Sequence, residues 1–150
     1  MKRYGKIWFW GYAVLMLWLL FGQRIGGTSM TWESWLETSV NLIPGRTVVN
    51  LFRGAWNQWI YRGETALLRF ALINNLGNIV MFIPLGCGLP MLWLRQRHRG
   101  CFLLTVLLII LAVETVQLVT MLGSWDVDDL LLNLLGAAIG FAIWKKCTPA

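Results

Sequence analysis

The sequence predicts an all-α integral membrane protein, a four-helix transmembrane bundle with interfacial helices in the first extracytoplasmic loop. One membrane domain covers residues 1–150. Three observations lead there. The chain is 57% hydrophobic and 13% charged, where a soluble domain carries about a quarter charged residues. Four apolar runs approach or exceed the roughly 20 residues that cross a bilayer. Basic residues collect in short pieces beside those runs, as they do on the cytoplasmic side of membrane helices.

The first apolar run, residues 7–22, is at the short limit for a span, and Lys6 can lengthen it by snorkelling. A basic start followed by an apolar stretch resembles a signal peptide. No small-residue cleavage pattern follows it, so a retained anchor is expected. Residues 23–69 form an outer loop rich in Trp and Leu. Within it, residues 31–40 oppose Trp32, Trp35 and Leu36 to Glu33 and Glu37, with Ser34-x-x-Glu37 as a capping-box candidate. Residues 47–61 carry Val48, Leu51, Phe52, Trp56, Trp59 and Ile60 beside Arg53 and Gln58. Both segments suit helices lying in the headgroup layer. Asn41-Leu-Ile-Pro44-Gly45 between them reads as a turn or short re-entrant stretch that roofs the intramembrane polar layer. The second, third and fourth spans are expected over about 70–94, 101–122 and about 129–144.

Charge sets the orientation. With four spans, Lys2, Arg3, Lys6, Arg95, Arg97, Arg99, Lys145 and Lys146 share one side with no acid among them. The other side mixes Arg24, Arg46, Arg53, Arg62 and Arg69 with Glu33, Glu37, Glu64, Asp126, Asp128 and Asp129. The positive-inside rule makes both termini cytoplasmic in a multi-pass protein of the inner (plasma) membrane. The net charge of +6 is then a topology signal. Its division among three short juxtamembrane pieces argues against nucleic acid as a partner.

That orientation places the intramembrane polar residues at one depth, in the outer half. Asn75 and Asn78 lie near the start of the second span, Glu114 and Gln117 near the end of the third, and Asp129 and Asn133 at the start of the fourth. Each pair is three or four residues apart and so shares a helix face. Asp126, Asp129, Asn133, Gly136 and Gly140 continue one stripe, and Gly136-x-x-x-Gly140 permits close helix approach. The glycines can be packing and nothing more, and Asp126 or Asp128 can simply cap a helix. Glu114 lies about 12 Å inside its apolar run, at 1.5 Å per residue. A charge at the bilayer centre costs at least about 2.5–3.5 kcal/mol. Glu114 therefore either has a structural partner or serves a ligand, a proton or a metal.

Several chemistries lack their residues. His98 is the only His and sits among arginines, so neither a His–Cys metal set nor a Ser–His–Asp set can form in the outer layer. No glycine-rich phosphate loop is present, and no cofactor or metal is expected. Clustered carboxylates at Glu114, Asp126, Asp128 and Asp129 are a weak hard-cation signal alone. Cys87, Cys101 and Cys147 fall toward the reducing side, so disulfides are not expected. The inner halves hold too few polar residues for a proton-coupled transporter.

Taken in order, four motifs resemble the VanZ-like family. They are Asn41-Leu-Ile-Pro44, then Asn75-Leu-Gly-Asn78-Ile-Val-Met-Phe82-Ile-Pro84-Leu-Gly86, then Glu114-x-x-Gln117, and finally Asp126-Val-Asp128-Asp129-Leu-Leu-Leu-Asn133-Leu-Leu-Gly136-x-x-x-Gly140. The resemblance is clearest over residues 41–144. It implies a small bacterial cell-envelope membrane protein, in a family whose founding member is linked to reduced susceptibility to the glycopeptide teicoplanin. It implies no particular reaction. Gly45 stands where the family usually has Phe, and Gly123 or Ser124 where many members carry Arg before the aspartates, which removes a potential anion clamp. The expected function is an outward-facing polar pocket of Asn75, Asn78, Glu114, Gln117, Asp126, Asp129 and Asn133. Such a pocket would bind a membrane lipid, a lipid-linked envelope precursor or a lipophilic glycopeptide. The alternative is an intramembrane enzyme acting on an envelope lipid, with Glu114 as general base and the aspartates holding a divalent cation.

Overall fold

The computed structural model describes residues 3–22 and 29–148; Arg24 of the expected outer charge set lies outside them. The order is α1 (Arg3–Phe21), α2 (Trp32–Ser39), β1 (Val40–Asn41), α3 (Arg46–Arg62), α4 (Ala66–Leu92), a 3₁₀ turn (Leu94–Arg97), α5 (Arg99–Val119), β2 (Trp125–Asp126) and α6 (Val127–Cys147). Among the described residues, α4, α5 and α6 are long and apolar enough to cross a membrane. The apolar part of α1, Gly5–Phe21, is about 25 Å long at 1.5 Å per residue. Of the four expected spans, three are full-length helices, and the first, expected at the short limit, is a shorter apolar helix. Ile7, Trp8, Val14, Ile73, Val80, Leu104 and Leu108 are all more than half exposed, a surface that only lipid covers comfortably. The chain is a helical, multi-pass membrane protein.

The closest packing is between α4 and α6, which run parallel. A Cβ added at Gly136 would meet the Ile79 carbonyl oxygen at 2.1 Å, and one at Gly140 the Ile83 oxygen at 2.1 Å. From the other side, a Cβ at Gly86 would lie 2.0 Å from the Ala137 oxygen. These are backbone contacts that no larger side chain allows, so the small-residue stripe of α6 is spent on α4. α5 packs against α6 through the Phe102 and Phe141 rings, 4.4 Å between centroids. α1 leans on α4, where the Tyr12 hydroxyl donates to the Met81 carbonyl at 2.6 Å. Phe82, Phe102, Val106, Ile110 and Ala137 form the most deeply buried part of the apolar core.

Both helices expected between the first and second spans form, with shifted ends. Thr31, not Ser34, is the N-cap of α2: its backbone is extended and its hydroxyl accepts from the Ser34 N–H. One turn earlier is where the helix's unpaired N–H groups lie, so the capping oxygen has to be there. Trp35 Nε1 donates to the Leu118 carbonyl at 3.1 Å, so this Trp clamps α2 to the end of α5. α5 ends with Leu122 N–H on the Gln117 carbonyl (2.9 Å) and Met121 N–H on that of Leu118 (3.1 Å). With Met121 at φ 55°, this is a Schellman cap with a non-glycine residue in the left-handed position. A two-residue parallel ladder, absent from the sequence expectation, joins β1 to β2 with Val40 opposite Trp125 and Asn41 opposite Asp126. It seats the turn 41–45 over the start of α6.

Candidate functional site

The outer polar residues divide into two groups with different work. The first surrounds the start of α6. Asp126 caps its own helix, accepting the Asp128 N–H on Oδ1 at 2.8 Å. The same oxygen accepts from Asn41 Nδ2 at 3.0 Å, and Oδ2 accepts from the Thr47 hydroxyl. Asp128 reaches in the opposite direction. Its Oδ1 accepts the Gly45 N–H and its Oδ2 the Val48 N–H at 3.0 Å. One carboxylate from α6 thus caps the N-terminus of α3, where the unpaired N–H groups and the helix dipole favour an anion. Asp126 and Asp128 are 4% and 3% exposed, so their capacity as acceptors is largely committed to holding the roof in place. Of the two readings of these aspartates, the capping one describes their contacts. Sequence reasoning placed Asp126 in the pocket and the segment 41–45 over the polar layer, but missed Asn41 and Thr47 as partners of Asp126 and Gly45 as a partner of Asp128. The signal available was the Asn41-Leu-Ile-Pro44 motif, whose Asn has a buried acid to face.

The second group lies within the helices. Asn78 Nδ2 donates to Asp129 Oδ1 at 2.6 Å, a direct bond from α4 to α6. Asn133, one turn further along α6, is 2% exposed, and its Oδ1 has no hydrogen-bond partner among the described residues. Asn75 is 9% exposed and gives its Nδ2 to the Ala71 carbonyl of its own helix at 2.7 Å. On α5, Glu114 and Gln117 are both buried within the bundle; Glu114 does not face lipid. Gln117 Nε2 donates to the Leu20 carbonyl at 3.0 Å. Leu20 is in the last turn of α1, whose carbonyls have no partner within the helix, so Gln117 fastens the shorter apolar helix to α5.

Of the seven expected pocket residues, the structure bonds Asn78 to Asp129 directly and buries Asn75, Glu114, Gln117 and Asn133 within the helices. It turns Asp126 toward the roof and Gln117 toward α1. Among the described residues, no three His, Cys, Asp or Glu side chains come together as a metal site. Beside the layer, a groove of about 510 Å³ opens between α1 and α4. Its walls are apolar, with Leu15, Leu19, Ile73 and Met81 among them, and Asn74 and Asn78 line it as well. Asn78 is shared by the groove wall and the Asp129 contact. The groove has no signature in the sequence, because it is set by how α1 and α4 pack across residues far apart in the chain.

The family model for VanZ/LLP1 matches residues 9–148. No curated protein and no solved structure matches the chain.

Proposed function

The chain belongs to the VanZ/LLP1 family, and from that premise we propose that it binds an envelope lipid or lipid-linked precursor from the outer leaflet of the plasma membrane. Both termini face the cytoplasm in this reading, which puts the Asn78–Asp129 layer in the outer half of the bilayer. The observation that carries it is the continuity of the α1–α4 groove with Asn78. An acyl or isoprenoid chain fits the apolar walls, and Asn74, Asn78 and Asp129 offer donors and an acceptor where a headgroup begins. The buried Asn133 Oδ1, without a partner among the described residues, is a further acceptor on the same stripe for a ligand hydroxyl or amide. By holding such a lipid, the protein would alter what a lipophilic glycopeptide meets at the cell surface.

A phospholipid carrying a photoactivatable group in its acyl chain tests this on the full chain in nanodiscs. Crosslinks should concentrate on Leu15, Leu19 and Ile73, and Asn78→Leu should lower their yield several-fold while the protein stays monodisperse. Labelling spread evenly over the lipid-facing sides of α5 and α6 would overturn the reading. A second reading, an enzyme with Glu114 as general base, draws on the burial of that carboxyl in an apolar helix. Glu114→Gln separates the two, since it abolishes turnover by a general base but leaves lipid labelling in the groove.

A further inference from the structure

The opposite end of the bundle carries a second and chemically different groove. About 230 Å³ lies open between the start of α5 and the end of α6, over apolar surface from Phe102, Leu103, Ala138, Phe141 and Ala142. Arg99 and Lys145 stand in its rim. The floor is firm: Phe102 and Phe141 are 1% and 8% exposed and their rings are in contact. Both rim cations are exposed, and neither forms an ion pair within the described residues. Nor is an acid at hand in the sequence. All seven acidic residues, Glu33, Glu37, Glu64, Glu114, Asp126, Asp128 and Asp129, belong to the other half of the molecule. The neighbouring Arg97 is engaged differently, with its guanidinium 5.8 Å from the centre of the Trp144 ring and its Nε on the Pro90 carbonyl.

We propose that this α5–α6 groove is a binding site for an anionic glycerophospholipid, its phosphate held between Arg99 and Lys145 and an acyl chain lying on Phe102 and Phe141. The charge on the rim is complementary to an anion from outside the chain, and the apolar floor to a hydrocarbon chain attached to that anion. Basic pockets between membrane helices at the cytoplasmic face favour such headgroups for the same reason. The site is independent of the outer layer, because it shares no residue with it and takes a lipid of the other leaflet.

Native mass spectrometry of the detergent-purified full chain, offered phosphatidylglycerol and phosphatidylcholine with identical acyl chains, tests the proposal. Phosphatidylglycerol should be retained several-fold more strongly. Arg99→Gln with Lys145→Gln should reduce that retention by about tenfold or more, as two lost juxtamembrane cations imply, and leave phosphatidylcholine unchanged. The charge-keeping pair Arg99→Lys with Lys145→Arg should restore it. Ala142→Leu, which fills the groove with both charges present, should also reduce retention. Lys2→Gln with Lys6→Gln removes two charges from the same side and should have little effect. An equal fall in that control would show diffuse attraction and overturn the site. Displacement of the lipid by millimolar inorganic phosphate would show a free-anion site and overturn it too.

Discussion

At the scale of single residues, two backbone positions show how the roof is held. Gly45 sits at φ 80° and ψ −11° as the N-cap of α3, and its N–H is one of the two that Asp128 accepts. No neighbour lies within 4 Å of where its Cβ would be, so the requirement for glycine there is conformational and not steric. Gly45→Ala should cost about 1–2 kcal/mol, the usual difference for a left-handed residue with a Cβ. Met121 is the reverse case, with a side chain in the left-handed position at the end of α5. Met121→Gly should change stability in the favourable direction, by about 1 kcal/mol at most after the entropy of the extra glycine is counted. Reversible unfolding of both variants in mixed micelles checks the pair. Matching signs for the two substitutions would mean that backbone strain does not control either turn.

At the scale of elements, the α4–α6 pair is the least forgiving part of the molecule. Gly136 and Gly140 each face a carbonyl oxygen of α4 at a distance that leaves no room for a methyl group. Gly136→Ala should therefore separate the two backbones and weaken the Asn78–Asp129 bond, which lies about two turns nearer the outer end. Loss of a monodisperse peak on size exclusion, or a fall in midpoint equivalent to several kcal/mol, is the expected result. The same substitution at Gly77, whose Cβ would meet nothing within 4 Å, should be close to neutral. Equal damage at both positions would show that helix propensity, not close approach, explains the loss. The roof is a separate element with a different bond. A short ladder and the two carboxylates of Asp126 and Asp128 hold it, so it can loosen without parting α4 from α6.

For the whole molecule, the distribution of charge and the positions of the polar groups depend on a single orientation. Reporter fusions placed after Lys146 should read cytoplasmic, and fusions within residues 53–62 should read extracytoplasmic. An extracytoplasmic C-terminus would put Asn78 and Asp129 in the inner half and exchange the leaflets of both grooves. The shorter α1 bears on the same question. Its apolar length falls a few ångströms below the usual hydrocarbon thickness, a mismatch that snorkelling and local thinning absorb at modest cost.

Much of the architecture was legible because membrane insertion reads local composition. Apolar length placed α4, α5 and α6 to within a few residues, and the opposition of Trp and aliphatic residues to Glu33 and Glu37 in α2, and to Arg53 and Gln58 in α3, placed both as amphipathic helices. The spacing of Gly136 and Gly140 announced a close helix contact. The sequence by itself thus determined the helices and the face that packs, since each follows from periodicity and composition within one segment. Only the tertiary structure decided which partner each polar group takes. Asp126 and Asp128, near neighbours of Asp129, serve the roof, whereas Asp129 bonds to Asn78 on α4. Gln117, one turn from Glu114, ends on a carbonyl of α1. These choices depend on helix rotation and on contacts across tens of residues, which no local pattern encodes. The two grooves are likewise gaps between helices, α1 with α4 and α5 with α6, which no single segment specifies.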